Sequence, residues 1–177
     1  KNTLEILEGN GHAIYSFDLK EVEHIENLIK KIAENNGPLD GLVHCAGVAT
    51  MRPLSMTKPD FLHDMMCINF YSFVELIRCA SKKGNYREGA SFIGMSSIAS
   101  LHGDKSKTGY CSSKAAMDAA VRCMAKELTI KNIRVNTVVA GFIKTEMYYE
   151  FIKTAGEEAV EKNIQGQLLG MGETIDI

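Results

Sequence analysis

Residues 91–120 read SFIGMSSIASLHGDKSKTGYCSSKAAMDAA. This stretch opens with a predicted buried strand over Ser91–Ser96 and continues, after a turn, as an Ala-rich helix predicted for about Thr108–Lys131. From Ile133 to Val139 the residues then alternate as a further strand. A strand, a helix and a strand in direct succession are typical of a parallel sheet with right-handed crossovers.

The same alternation extends over the rest of the chain, and we predict a single α/β domain over residues 1–177. We expect a doubly wound parallel sheet with helices on both faces. The other predicted elements are the end of a helix at Lys1–Glu8, a strand at His12–Phe17, a helix from Val22 to Gly37, a strand at Leu42–Cys45, a helix from Thr57 to about Ser81, and an irregular to helical region from Thr145 to Ile177.

Composition and charge narrow the class of protein. The chain is 45% hydrophobic and 24% charged with a net charge of -2, which gives no reason to expect nucleic acid or an anionic membrane as partner. No apolar run reaches the ~18 residues of a membrane span. The five cysteines form no CxxC pair and the five histidines are scattered. We therefore expect free thiols, no metal, and a reducing, cytoplasmic location.

Tyr110 and Lys114 lie one helical turn apart, so both side chains can reach one spot. A nearby ammonium favours the phenolate and lowers the pKa of a tyrosine from about 10, which suits proton exchange during carbonyl–alcohol interconversion. Ser97, at the end of the preceding strand, is expected at the same sheet edge, where its hydroxyl could bond a substrate carbonyl. The spacing alone also fits a solvated stripe in which Lys114 pairs with Asp118, and Ser97 also fits an ordinary turn residue.

Three segments resemble the short-chain dehydrogenase/reductase family in order and spacing: SSIAS at 96–100, YCSSK at 110–114 and RVNTVVAGFIKTEM at 134–147. The resemblance implies a Rossmann-like fold that transfers hydride between NAD or NADP and a carbonyl or alcohol. It also implies a catalytic set. Tyr110 would be the general acid/base, Ser97 would steady the substrate oxygen, Lys114 would lower the tyrosine pKa and bind the nicotinamide ribose, and Asn69 would hold a water that links Lys114 to solvent.

The resemblance implies further cofactor contacts besides Tyr110 and Lys114. Asp18 and Leu19 match the segment at the adenine edge, and Asp18 also fits a capping box with Glu21. The other matching positions are the small residues Ala46 and Gly47, which admit close backbone approach, and Gly141, Ile143 and Thr145, which match the segment that holds the nicotinamide carboxamide. The choice between NAD and NADP stays open.

Three features depart from the family pattern. His44–Cys45 stands where the family has two asparagines before Ala-Gly, and Ala140 stands where it has proline before glycine. The Gly-rich turn that binds the pyrophosphate occurs nowhere in the sequence. We therefore expect a fragment that lacks the family's first two strands and its C-terminal end. A chain truly without that turn should fail to bind the cofactor.

Substrate and assembly are less specified. The motifs resemble those of 3-oxoacyl-acyl carrier protein reductases, but sugar and polyol dehydrogenases share them, and a non-catalytic dinucleotide-binding or scaffold protein is the alternative from another class. The aromatic residues after Thr145 fit either a lid over an apolar small-molecule substrate or a helix packed on the body. The resemblance implies a homodimer or homotetramer formed through the Asn69 and Tyr110 helices, where Ala115, Ala116, Ala119 and Ala120 are small enough for close packing.

Overall fold

The computed structural model describes residues 7–177, except the side chains of Glu157, Ala159, Lys162 and Asn163. In this part of the chain strands and helices alternate as the sequence predicts. The elements are α1 (Ile25–Asn36), β1 (Leu39–His44), α2 (Pro59–Met66), α3 (Ser72–Ala80), β2 (Tyr86–Ser97), α4 (Thr108–Leu128), β3 (Arg134–Ala140), α5 (Glu146–Ala155) and α6 (Glu157–Gln165).

The three strands form one parallel sheet in the order β1-β2-β3. His44 pairs with Gly94, and Ser97 pairs with Ala140, so the carboxyl ends of all three strands lie at the same edge of the sheet. The predicted α/β class with a parallel sheet is confirmed, and the residues that follow the strands share one edge as expected.

One face of the sheet is covered by α3 and α4. Phe73 and Ile77 of α3 and Met117 of α4 pack with Phe92 and other buried residues of β2 and β3 in a single apolar cluster. On the other face Val43 is 59% exposed. The predicted Rossmann-like class is confirmed, and the two crossovers described here, β1 to β2 and β2 to β3, both lie on one face. The reason is that right-handed crossovers between strands in sequential order all lie on one side, and double winding requires a reversal of strand order.

The segment His12–Phe17 forms no strand in the described residues, which corrects the prediction made for it. A strand needs a hydrogen-bonded neighbour, and within residues 7–177 no strand pairs with this segment. Its side chains instead pack on α1: the Tyr15 hydroxyl accepts a hydrogen bond from Asn36 Nδ2 at 2.7 Å, and Phe17 joins the apolar cluster around Ile25. The helix predicted at Lys1–Glu8 lies, for residues 1–6, outside the described residues.

The helix predicted from Thr57 to about Ser81 extends from Pro59, its first residue, to Ala80, and the proline lies in the first turn as expected. Thr57 does not cap it, because its hydroxyl donates to the Pro53 carbonyl at 2.9 Å. Between α2 and α3 the residues Cys67–Tyr71 form a π-helix, a wider turn that often accompanies functional sites. Asn69 lies inside this wide turn.

After α6 the chain returns to the loop that follows β3. Ile143 and Gly172 form an isolated parallel bridge, and Lys144 N donates to the Gly172 carbonyl at 2.9 Å. The residue before the segment that contains α5 and α6 and the residue after it are thus hydrogen-bonded to each other. Among the helices described, none is long and apolar enough to cross a membrane.

Candidate active site

Lys114 is held at the centre of the carboxyl edge of the sheet. The residue is only 4% exposed, and its Nζ donates a hydrogen bond to the Met95 carbonyl of β2 at 2.6 Å. The alternative pairing with Asp118 is not formed, since Asp118 Oδ1 is buried without a hydrogen-bond partner among the described residues. Burial lowers the pKa of Lys114 to about 8, and the nearby Asp118 and Cys45 act in the opposite direction.

Tyr110 lies beside this lysine and beside Ser97. The Lys114 Nζ is 5.9 Å from the centroid of the Tyr110 ring. Burial raises the pKa of Tyr110, and the nearby Ser97 hydroxyl opposes that rise. The net direction differs from the expectation that Lys114 lowers this pKa. Removing the phenol from water disfavours the phenolate more than the Ser97 hydroxyl favours it, and the nearby Cys111 acts in the same direction as burial.

Asn69 is fully buried, and both polar atoms of its side-chain amide are hydrogen-bonded within the chain. Its Oδ1 accepts from Val48 N at 2.8 Å, and its Nδ2 donates to the Val48 carbonyl and to Ser113 Oγ, both at 2.9 Å. Ser113 in turn donates to the Tyr110 carbonyl at 2.8 Å. Asn69 thereby ties the loop after β1 to the helix that carries Tyr110 and Lys114.

Two of the residues predicted to contact the cofactor line one cavity at the outer edge of β1. Leu19 and Ala46 face this apolar space of about 430 Å³, together with Leu42 and Cys45. Asp18 does not form the predicted capping box; its Oδ1 accepts from Lys20 N at 2.9 Å in a local turn.

Gly47 is the point where the backbone after β1 comes nearest to the lysine. A Cβ at Gly47 would lie 3.5 Å from Lys114 Nζ and 3.4 Å from Asn69 Oδ1. Ordinary van der Waals contact would therefore already be reached with alanine at this position. The absence of a side chain leaves the space beside the lysine open, as the predicted close approach requires.

The loop Gly141–Thr145 directly follows β3, on the far side of Ser97 from β1. Thr145 caps α5, since its Oγ1 accepts from Tyr148 N at 3.4 Å. Ile143 is held in the bridge to Gly172. Gly141, Ile143 and Thr145 thus lie in one loop, which is held by the Ile143–Gly172 bridge and by the capping bond of Thr145.

The aromatic helix α5 packs on the body, in line with one of the two alternatives. Phe151 and Phe142 have ring centroids 5.9 Å apart, and the Nζ of Lys107, just before α4, lies 4.3 Å from the centroid of the Phe151 ring. Met147 and Tyr149 remain 41% and 54% exposed. The helix therefore contacts the start of the Tyr110 helix and still presents apolar surface.

Sequence reasoning missed several residues that position this site. The Met95 carbonyl, which binds Lys114, leaves no sequence signal because any residue supplies a carbonyl. His44 carries a faint signal as a departure from the family pattern: it is 3% exposed, and its Nε2 lies 3.0 Å from Ser72 Oγ. Because the Ser72 hydroxyl donates to the Ile68 carbonyl at 2.7 Å, it accepts from His44, which links β1 to the π-helix.

The ligand atoms of Glu26, Glu75 and Cys79 lie within 4.8 Å of one another, away from this edge. Both carboxylates pair with Arg78, and Glu26 also pairs with Lys82. Burial raises the pKa of the Cys79 thiol to about 12, so thiolate is scarce at neutral pH. The group is therefore an ion-pair cluster. All five cysteines are free thiols, as expected.

The chain is similar to known proteins over nearly its whole length. The family model described as enoyl-(acyl carrier protein) reductase matches residues 1–176. Human 3-oxoacyl-[acyl-carrier-protein] reductase is 29% identical over 169 residues, which cover 96% of this chain and 69% of the human protein.

Solved structures show the same relationship. A dehydrogenase/reductase from Sinorhizobium meliloti 1021 superposes with a TM-score of 0.80 at 29% identity, over 90% of this chain and 61% of that one. ElxO with NADP bound superposes with a TM-score of 0.77 at 26% identity, over 93% of this chain and 66% of that one. The chain thus spans slightly less than two thirds of the length of these structures.

The chain belongs to the short-chain dehydrogenase/reductase family. Within that family it is similar to 3-oxoacyl-acyl carrier protein reductases.

Proposed function

We propose that this protein is a nicotinamide-dependent oxidoreductase that interconverts a carbonyl and a secondary alcohol, with Tyr110 as general acid/base. One observation carries the proposal: a serine hydroxyl, a phenol and a buried ammonium converge at the carboxyl edge of the sheet. The Ser97 hydroxyl is close enough to the Tyr110 phenol to oppose the rise in its pKa, and Lys114 Nζ lies 5.9 Å from the centroid of the Tyr110 ring. A helix surface with no chemical role has no need to bury a lysine against a strand carbonyl.

The protonation states suit carbonyl reduction. Because burial raises the pKa of Tyr110, the phenol keeps its proton at neutral pH and can donate it to a carbonyl oxygen. Ser97 can donate a second hydrogen bond to the same oxygen. With a pKa of about 8, Lys114 is mostly charged at pH 7 and stabilises the phenolate that remains. In alcohol oxidation the same groups act in reverse.

The residues around Lys114 fit the nicotinamide half of NAD or NADP. An ammonium has three donors, and the structure shows one of them bonded to the Met95 carbonyl. The other two can bind ribose hydroxyls across the open space beside Gly47. When bound, the dinucleotide supplies or accepts the hydride.

The apolar cavity lined by Leu19 and Ala46 suits the adenine, and Asp18 directly precedes Leu19 in the chain. Asn69, whose amide oxygen and nitrogen are both hydrogen-bonded within the chain, serves as a positioning residue.

For the substrate we favour a 3-oxoacyl thioester. The supports are the names of the relatives and the apolar surface that α5 presents through Met147 and Tyr149. A polyol or sugar is the alternative substrate for the same reaction.

We further propose that the protein is cytoplasmic and forms a homodimer or homotetramer.

The decisive experiment offers the purified full-length protein NADH and NADPH with acetoacetyl-CoA, and NAD and NADP with a polyol panel, while absorbance is followed at 340 nm. Tyr110→Phe should lower kcat by about 1000-fold or more while the affinity for the dinucleotide, measured by fluorescence titration, changes less than about twofold. Tyr86→Phe is the matched control and should keep full activity, because Tyr86 begins β2 and so lies at the opposite edge of the sheet from Ser97.

Two results would contradict the proposal. Turnover that survives in Tyr110→Phe would remove Tyr110 from the chemistry. Dinucleotide binding without turnover on any substrate, equal in the wild type and in Tyr110→Phe, would instead support the non-catalytic alternative.

A further inference from the structure

The loop Gly141–Thr145 is held by a side chain that lies 25 residues further along the chain. The Gln167 Oε1 accepts a hydrogen bond from Phe142 N, and its Nε2 donates to the Phe142 carbonyl at 3.4 Å and to the Gly170 carbonyl at 2.7 Å. One carboxamide thus binds both backbone groups of Phe142 and the turn that carries the glutamine itself.

The contact explains the glycine at position 141. A Cβ there would overlap the Gln167 Oε1, with the amide carbon only 3.1 Å away. With any other residue at position 141, the Gln167 carboxamide would have to move away from its present place against the loop.

Residues that follow Gln167 also hold the Gly141–Thr145 loop. Gly172 N donates to the Phe142 carbonyl at 3.0 Å, and the Lys144 and Glu173 side chains form an ion pair. These contacts do not depend on the Gln167 side chain, so its removal should loosen the loop without releasing the whole return segment.

We propose that Gln167 is a positioning residue that fixes the Gly141–Thr145 loop for the nicotinamide carboxamide, and that it supplies the rigidity which proline would give at Ala140. Proline restricts the backbone by fixing φ, whereas alanine leaves it free. The hydrogen bonds from Gln167 to the N–H and carbonyl of Phe142 restrict the backbone two residues after Ala140. This inference rests on the proposed function, because it assigns the loop to the nicotinamide end of the dinucleotide.

Gln167→Ala in the purified protein tests the proposal by two measurements. Amide hydrogen exchange should accelerate at Phe142 by about tenfold, because its N–H loses the partner in Gln167. The Kd for the reduced dinucleotide should rise by about tenfold, the factor expected for one or two lost hydrogen bonds, while the Kd for ADP-ribose or its 2′-phosphate changes less than twofold.

Two further variants separate positioning from general destabilisation. Ala140→Pro added to Gln167→Ala should restore the dinucleotide Kd to within about threefold of wild type, since it constrains the same loop. Gln165→Ala, at an exposed glutamine two residues earlier, should leave both measurements unchanged.

The proposal is overturned if exchange at Phe142 is unchanged in Gln167→Ala, or if the dinucleotide and ADP-ribose weaken equally. A full-length wild-type protein that binds neither NADH nor NADPH would refute the proposed function and with it the nicotinamide role, while the exchange rates would still show whether Gln167 holds the loop.

Discussion

The Lys114 ammonium is bonded to the Met95 carbonyl at 2.6 Å, so the lysine of the Tyr110 helix is anchored to the central strand. The folded state keeps this charge almost entirely out of water. The lowering of its pKa from 10.5 to about 8 corresponds to a cost of about 3 kcal/mol at neutral pH. Stability is thus exchanged for a charge at the site.

Replacing the lysine should separate stability from activity. We expect Lys114→Met to lower turnover by about 100-fold or more but to raise the free energy of unfolding at pH 7 by about 1–2 kcal/mol, the unpaired Met95 carbonyl offsetting part of the gain. Because the unfolded state binds more protons between pH 8 and 10.5, the wild type regains stability over that window and the difference should shrink. Urea unfolding of the wild type and of Lys114→Met at pH 7 and pH 10 measures this difference in the free energy of unfolding. Lys126→Met, at an exposed lysine of the same helix, is the control, and a less stable Lys114→Met at pH 7 would contradict the argument.

His44 should make the protein sensitive to acid. Burial and the Lys114 charge lower the pKa of His44 from 6.5 to about 4, so the unfolded state binds the extra proton between these values. Stability from this residue is therefore present above pH 6.5 and is lost as the pH falls, by about 3 kcal/mol at pH 4. His44→Asn should flatten the unfolding free energy between pH 6.5 and pH 4, whereas His102→Asn, at an exposed histidine, should not. Equal pH profiles for both variants would refute this role.

The centre of β2 has no room for a side chain at Gly94. A Cβ there would lie 2.8 Å from Met117 Sδ and 2.9 Å from two carbons of the Phe73 ring. We expect Gly94→Ala to lower the free energy of unfolding by about 2 kcal/mol, because the buried core must shift to admit it. Gly103→Ala, which would meet nothing within 4 Å, should change it by less than about 0.5 kcal/mol. Similar urea midpoints for the two variants would show that the core accommodates the methyl group freely.

The small-residue face of α4 should be the subunit contact. Ala115 and Ala119 are exposed on this helix, so another copy can approach it closely. We expect light scattering at micromolar concentration to show a dimer or tetramer, and Ala119→Glu to convert it to a smaller species by burying an unpaired charge. Gln165→Glu adds the same charge elsewhere and should leave the assembly intact. A monomeric wild type would contradict the prediction.

Much of the fold was predictable because local patterns specify local structure. The order of strands and helices, Pro59 at the start of α2 and the gathering of Ser97, Tyr110 and Lys114 at one edge all follow from periodicity and from the geometry of parallel sheets. The strand predicted at His12–Phe17 failed because a strand is a property of two segments, and the pattern of one segment does not specify its neighbour.

The amino-acid sequence by itself determined the α/β class and the residue types at the candidate site, since these depend on periods of two and 3.6 residues and on motif order. The tertiary structure alone decided which groups bind them. Lys114 pairs with a strand carbonyl instead of Asp118, the phenol of Tyr110 has a raised pKa, and Gln167 holds a loop 25 residues away. Burial and contacts distant in sequence set these properties, because desolvation and hydrogen bonding depend on where a group lies in space.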